Sequence, residues 1–351
     1  MTIGLDATYS LGDNLSGVGV YSRELLLGLA SGQPEARFEW YYRPHRYLRS
    51  WAAEVPPHVR RRVLLEPMPM GRPALFHGLN QRLPRARLRC AVATFHDLFV
   101  MTGDYSTAEF RARFSEQARD AARRADAIIA VSAFTATQVV GLLSVEPSRV
   151  TVVHHGVRDL AYRAAPREKV ILNVGAVQVR KNIARLVEAF ESVDAEWRLV
   201  LAGGAGFGSE RILARIEGSP ACDRIQVLGY VSPDDLAGWY SRASVFAFPS
   251  VDEGFGMPVL EAMAAGLPVV TSTRSALPEV AGDAALLVDP EDTTGLARSL
   301  RELTREPDLR EDLARRGRDR AREFTWEDAA RRTWDVYSRL LRAAATITTH
   351  K

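Results

Sequence analysis

Short apolar runs rich in β-branched residues alternate with stretches of helical periodicity along the whole chain. That alternation leaves few folds open. Strands buried on both faces read as continuous apolar runs, and they need helices on both sides to cover them. In the first half, strands are expected at 2–7, 38–42, 62–65, 75–77, 90–96, 127–131 and 150–154, with helices at 19–30, 107–124 and 133–143. The polar, non-periodic stretch 159–168, with Pro166 inside it, reads as a linker. Strands restart at 170–174, 198–202, 225–228, 245–249, 268–271 and 285–288, with helices at 183–192, 210–217, 233–241 and 258–265 between them. Beyond Pro290 the chain is expected to be helical to 344, with Leu296, Leu300 and Leu303 at helical spacing, and 346–351 to fray. The pattern predicts an α/β protein of two parallel-sheet units.

Length agrees with two units, since 351 residues exceed what one core usually organises. A composition 46% hydrophobic and 25% charged excludes a disordered chain or a disulfide scaffold. The two cysteines, Cys90 and Cys222, have no paired spacing, which excludes a zinc ribbon and makes a reducing, cytoplasmic setting the expectation. The opening MTIGLDATYS has no positive charge ahead of its apolar residues, unlike a signal peptide. The longest uncharged run, 127–145, carries Ser132, Thr135, Thr137, Gln138 and Ser144, so it reads as strand plus helix and not as a membrane span. Residues 1–165 hold 21 basic and 15 acidic residues, an excess suited to an anionic partner surface.

Common nucleotide motifs are missing. The glycine run 203–208 gives G-x-G-x-x-G in no frame, and Lys181 is followed by Asn182 where a P-loop needs Ser or Thr. No H-E-x-x-H or acidic cluster at ligand spacing occurs, so no protein-held metal is expected, and no G-x-S-x-G elbow marks a nucleophilic serine.

What remains is the stretch 243–289. An apolar strand ending at Phe248 leads into a loop with Asp252 and Glu253, then Gly254 and Gly256, and Pro258 opens a helix. Such a loop offers backbone amides to an anion, while carboxylates accept hydrogen bonds from adjacent hydroxyls. Glu261 lies about one turn inside that helix, ~5 Å along its axis from the start.

The segment EGFGMPVLE from Glu253 to Glu261, followed by AMAAGLPVV and LPEVAGDAALLVDPED, resembles the signature of the retaining GT-B glycosyltransferases of family four. The start IGLDATYSLGDNLSGVGVYSREL resembles that family's first strand, glycine loop and first helix, and VGAVQVRKNIARLVEAF its donor-phosphate segment. The resemblance implies two Rossmann-like domains facing a cleft: an acceptor-side domain at 1–165, a nucleotide-sugar domain at 166–325, and a C-terminal helix at 326–345 crossing back onto the first. It assigns Glu253 to the donor sugar, Glu261 to the ribose, and the amides of Gly254, Phe255, Gly256 and Met257 to sugar hydroxyls and diphosphate. Arg180 and Lys181 would neutralise the leaving diphosphate. Where the family often has Arg directly after Val-Gly, this chain has Ala176, which leaves Arg180 as the phosphate partner. Gly17, Val18 and Gly19 would approach the diphosphate, and His96, with Asp97 behind it, the donor sugar.

The implied reaction is retaining, metal-independent transfer of a hexose from a nucleoside diphosphate sugar, GDP-mannose or a UDP-hexose, without a cofactor. The acceptor would be a glycan, a lipid-linked glycan or a small molecule, as in polysaccharide biosynthesis, and no nucleic acid is involved. Weak contact with an anionic inner membrane face is expected from Arg60, Arg61, Arg62, Arg82, Arg85, Arg87 and Arg89. A sugar-nucleotide epimerase of the same fold and a noncatalytic nucleotide-sugar-binding subunit stay open as alternatives.

Overall fold

The computed structural model describes residues 2–349, apart from 13, 67–70, 72, 159, 161, 163 and 164, with no side chains at 347–349. Two compact units emerge. One comprises Met1–Thr102, Thr107–Gly156 and Phe324–Lys351, the other Gly103–Ser106 and Val157–Glu323.

In the first unit the elements run β1 (Thr2–Asp6), α1 (Gly17–Gly32), β2 (Arg37–Tyr42), α2 (Pro44–Tyr47), β3 (Val59–Val63), β4 (Leu75–Gly78), β5 (Ala91–Phe95), α3 (Phe99–Thr102), α4 (Ala108–Arg124), β6 (Ala127–Ala130), α5 (Ala133–Leu143) and β7 (Val150–Val152). The strands form one parallel sheet in the order β3-β2-β1-β4-β5-β6-β7. Ile3 and Leu5 of β1 pack with Tyr21, Leu25 and Leu29 of α1, while Phe76, Ala93, Phe95, Ala118, Ala121 and Ile128 build a second core. Side-chain caps start three helices: Ser16 for α1, Thr107 for α4 and Ser132 for α5 each accept a first-turn amide.

The second unit runs β8 (Val170–Val174), α6 (Ile183–Phe190), β9 (Arg198–Ala202), α7 (Ser209–Glu217), β10 (Ile225–Gly229), α8 (Pro233–Arg242), β11 (Val245–Phe248), α9 (Met257–Ala264), β12 (Val269–Ser272), α10 (Leu277–Ala281), β13 (Ala285–Val288), α11 (Thr293–Arg305) and α12 (Pro307–Arg322). Its parallel sheet has the order β10-β9-β8-β11-β12-β13. Leu296, Leu300 and Leu303 of α11 enter its core, as their spacing required.

The last helix, α13 (Trp326–Thr349), belongs to the first unit, as the family resemblance implied. Its buried Ala329, Ala330, Val336 and Tyr337 join the core beneath α1. Contact there is close: a Cβ on Gly28 of α1 would lie 3.1 Å from the Ala330 Cβ. A Cβ on Gly156 would fall 2.3 Å from the Trp326 amide, so only glycine lets the chain pass the start of α13.

Several expectations shift. The first strand of the arginine-rich stretch is Val59–Val63 and not 62–65, because an edge strand exposes alternate positions and its apolar signal is diluted by Arg60, Arg61 and Arg62. The helical tail is three helices, and the first break falls where Pro307, lacking an amide donor, can only begin a new one. Helix α13 continues past 344 to Thr349, while 350 and 351 lie outside the described residues. The change of unit falls at Gly156/Val157, ahead of the 165 expected; of the expected linker, 159, 161, 163 and 164 lie outside the described residues. The side chains of Arg158 and Tyr162 bond to α9, which ties this stretch to the second unit.

Candidate active site

Both sheets reverse their strand order once, between β1 and β4 and between β8 and β11. In open parallel sheets, the loops leaving the carboxyl ends of the strands at such a reversal splay apart and leave a crevice for ligands. In the second unit those loops are 175–182 after β8 and 249–256 after β11. They carry Arg180, Lys181, Glu253 and the glycines.

The two loops are stitched together by main-chain bonds. The Val251 amide donates to the Arg180 carbonyl at 2.9 Å, and the Ser250 hydroxyl to the same carbonyl at 3.1 Å. Asn182, in left-handed conformation at the start of α6, donates its amide to the carbonyls of Pro249 and Pro290. The Glu253 amide donates to the Ser275 hydroxyl at 3.0 Å. These bonds bring three charges together. Oε1 of Glu253 lies 2.7 Å from Lys181 Nζ and 3.0 Å from Arg180 Nη1, and accepts the Ser250 hydroxyl at 2.5 Å. Arg180 also donates to the Asp252 carbonyl.

Glu253 is 8% exposed. Burial alone would raise its carboxyl pKa, but Arg180 and Lys181 outweigh burial and hold it down at about 2. The Lys181 ammonium also sits 4.5 Å over the Phe248 ring. At Gly175, φ is +143° and a Cβ would stand 3.3 Å from Lys181 Cε, so glycine there leaves the lysine its path.

After Glu253 the chain turns through Gly254 and Phe255 into Gly256, which caps α9 at φ +114°. A Cβ on Gly256 would meet Leu277 at 2.8 Å, so both space and conformation demand glycine. Helix α9 begins at Met257, one residue before the expected Pro258, and its dipole points at this turn.

Glu261, on the same helix, is 4% exposed and lies in a second cluster. Its Oε1 pairs with Arg158 Nη2 at 3.0 Å, and its Oε2 accepts the Tyr240 hydroxyl at 2.9 Å. The Tyr162 hydroxyl donates to its main-chain carbonyl at 3.0 Å. Burial raises the Glu261 carboxyl pKa, with Arg158 and Tyr240 pulling against it. A carboxylate has about four acceptor positions, so two such bonds leave room for a diol.

In the first unit Gly17, Val18 and Gly19 form the first turn of α1; the loop expected to precede that helix ends earlier. The Gly19 amide donates to Ser16 Oγ at 3.3 Å, and a Cβ there would lie 2.9 Å from the Tyr9 carbonyl, so its glycine serves a close crossing. His96, just beyond β5, is buried, and its Nε2 donates to the Leu79 carbonyl at 2.9 Å. Burial pushes its pKa down to about 4, so near neutral pH the ring is uncharged and Nδ1 is the acceptor. Around it lie the rings of Tyr21 and His155, at 4.6 and 5.5 Å between centroids. His77, not singled out from sequence, bonds Tyr337 at 2.6 Å and Thr94 at 2.8 Å, and Thr94 in turn meets Tyr21. His155 stacks on Trp326, whereas His154 faces Phe324.

An open cavity of about 470 Å³ lies elsewhere in the second unit, between β10 and α8, lined by Leu228, Tyr230, Asp234, Trp239 and Arg242 among others. It shares no lining residue with the charged clusters, whose side chains close on one another. Among the described residues no three His, Cys, Asp or Glu side chains gather to hold a metal ion, and no helix is long and apolar enough to cross a membrane.

Residues 16–159 match the model of Glycosyltransferase Family 4, and residues 161–320 that of Glycosyl transferases group 1. The O-antigen chain mannosyltransferase B of Escherichia coli is 31% identical over 284 residues, covering 76% of this chain and 74% of its own. The chain belongs to the family 4, group 1 glycosyltransferases. A D-inositol 3-phosphate glycosyltransferase of a Nocardioides strain is also 31% identical, over 72% of this glycosyltransferase and 64% of its own length. Among solved structures, a sucrose-phosphate synthase from Thermosynechococcus elongatus shares the fold, with TM-score 0.78, 23% identity, and 97% and 99% of the two chains covered. HepE from Anabaena, solved with UDP and glucose, gives TM-score 0.72 at 17% identity, over 97% and 99%.

In this glycosyltransferase the structure thus joins Glu253 to Arg180 and Lys181, and sets Glu261 apart with partners of its own. Sequence reasoning missed Ser250, Asn182, Ser275, Arg158 and Tyr240. Asn182 had a signal, being next to Lys181. Arg158 had none: 103 residues separate it from Glu261, and only folding brings them together.

Proposed function

We propose that this glycosyltransferase moves a hexose from a nucleoside diphosphate sugar to an acceptor hydroxyl with retention at the anomeric carbon, and without a metal ion. The observation that carries the reading is the buried Glu253 carboxylate, ionised beside Arg180 and Lys181 at the start of α9. Such a site supplies a hydroxyl acceptor for the sugar and two cations for the departing diphosphate, where negative charge grows in the transition state. Arg180, Lys181 and the amides of Gly254 to Met257 take the role that a divalent ion plays elsewhere. The leaving phosphate takes the acceptor proton, so the mechanism needs no paired carboxylates at glycosidase spacing. His96, neutral and fixed through Nε2, offers Nδ1 to a donor hydroxyl.

A mannosyl donor carrying GDP is favoured by the relation to the O-antigen mannosyltransferase, and a UDP-hexose is the second choice. A glycan acceptor in polysaccharide assembly follows from the same relative. The deciding experiment incubates the enzyme with a panel of nucleotide sugars and acceptors, with proton NMR of the first-formed product. An α-donor should give an α-glycoside; a β-product overturns retention. Epimer formation without acceptor, or binding without turnover, would select the epimerase or the noncatalytic subunit instead.

The proposed location is cytoplasmic, with weak attachment to an anionic inner membrane face. Support comes from the segment of the first unit that follows β2. There Leu48 is 80% and Trp51 63% exposed, the Arg61 guanidinium lies 5.0 Å over the Trp51 ring, and Arg49 and Arg60 are exposed in the same stretch of chain. Exposed apolar tips in an arginine-rich stretch suit a lipid headgroup layer. Of the arginines noted in the sequence, Arg62 and Arg82 are paired with Glu39 and Glu66 and contribute less.

A further inference from the structure

The ion pair between Arg158 and Glu261 is poorly explained by stability. Two charges are taken from water, at 16% and 5% side-chain exposure, and such a pair rarely stabilises more than an apolar contact of the same size. The Arg158 Nε is buried without a hydrogen-bond partner among the described residues, so the guanidinium is left partly unsatisfied. An arrangement that costs solvation and leaves a donor unpaired is kept for what it does to the carboxylate.

We infer that Arg158 is a positioning residue that fixes the Glu261 carboxylate as the hydroxyl acceptor for the ribose of the donor nucleotide. This rests on the reading of Glu261 as a donor contact. The geometry is a bracket. Arg158, at the start of the second unit's main segment, holds Oε1; Tyr240, on α8, holds Oε2; Tyr162 grips the main-chain carbonyl of the same residue. Carboxylate rotation about its last torsion is stopped from both sides, and the lone pairs not used by Arg158 and Tyr240 keep a fixed direction. A diol binds such a fixed carboxylate without first paying to order it.

The guanidinium has a second effect. Burial favours the neutral carboxyl, and Arg158 is the cation that opposes this; Tyr240 faces it as a neutral phenol, its own pKa pushed far up by burial. Tyr162 meets only the carbonyl oxygen. Without Arg158 the carboxyl pKa rises further. A protonated Glu261 is a poorer hydroxyl acceptor, so binding by an Arg158 variant improves as pH rises, with its rise displaced to higher pH than in the wild type.

The test measures binding of GDP and UDP, and of their 2′,3′-dideoxy forms, by calorimetry from pH 6 to 9, together with KM and kcat for the accepted donor. Arg158→Gln is expected to weaken nucleotide binding about tenfold at pH 7, a loss of ~1.4 kcal/mol, with kcat changed less than threefold. It should also lose most discrimination against the dideoxy form and recover affinity toward pH 9. Arg158→Lys should restore part of each effect. Tyr240→Phe reads the other arm of the bracket and should weaken binding with a smaller pH dependence, since it removes one hydrogen bond and no charge. Unchanged discrimination and a wild-type pH profile in Arg158→Gln, or in Arg158→Lys if the former does not fold, would overturn the inference. Wild-type enzyme that binds ribose and dideoxy nucleotides equally would instead remove the ribose role of Glu261 itself.

Discussion

Lys181 Nζ lies 2.7 Å from Glu253 Oε1, although 72 residues separate them in the chain. Nothing local brings them together. They meet because β8 and β11 are neighbours at the point where the sheet reverses its order, and each strand releases its loop on the same side. The pair therefore depends on the topology of the whole unit, and the lysine helps to hold the buried carboxylate ionised.

Removing the carboxylate tests the proposed division of labour. Glu253→Ala is expected to lower transfer about a hundredfold or more through kcat, since its proposed partner is the reacting sugar. Glu261→Ala should act mainly on donor KM. Wild-type turnover in Glu253→Ala refutes the role of Glu253. Circular dichroism must accompany the kinetics, because Arg180 and Lys181 are left buried without their counter-charge.

Arg180→Ala should reduce kcat/KM by roughly ten- to 150-fold, corresponding to about 1.5–3 kcal/mol for one charge-assisted bond to a diphosphate. A change below twofold would move the phosphate contact to Lys181 and the loop amides.

Activity should persist in EDTA, because in the proposed mechanism Arg180 and Lys181 supply the positive charge at the diphosphate. Complete loss that magnesium or manganese restores refutes metal independence.

Acid should weaken the first unit before it touches the Glu253 cluster. Burial lowers the pKa of His77 to about 3, of His96 to about 4, and of His155 well below its ordinary 6.5. Between pH 6.5 and about 4 the unfolded chain binds protons there that the folded chain refuses, so stability falls as pH drops. The slope is ~1.4 kcal/mol per pH unit for each histidine. Glu253 acts in the same direction at lower pH: its depressed pKa stabilises the fold above 4.5, and that contribution is lost as pH falls toward about 2. Urea midpoints measured from pH 7.5 to 5 should decline, and His77→Gln should flatten the decline. A midpoint independent of pH in the wild type contradicts this.

Leu48→Ser with Trp51→Ser should reduce sedimentation with phosphatidylglycerol vesicles at low salt, while soluble-acceptor activity stays within twofold. Binding should fall as salt rises, because the arginine attraction is screened. Wild-type protein that does not sediment at low salt rejects membrane attachment.

By itself, the sequence determined the two α/β units, every strand of both sheets to within a few residues, and the identity of Glu253, Glu261, Arg180 and Lys181 as residues to watch. Buried parallel strands announce themselves as unbroken apolar runs, and the glycine-rich loop before α9 is written in consecutive residues. The arginine edge strand β3 was misplaced, since exposed alternate positions carry no apolar signal. Tertiary structure alone decided the rest. It assigned Lys181 and Arg180 to Glu253, gave Glu261 the partners Arg158 and Tyr240, and buried His77 against Tyr337, 260 residues away. Such contacts join residues far apart in the chain, and their identity follows from strand order and loop direction, which no local run of sequence encodes.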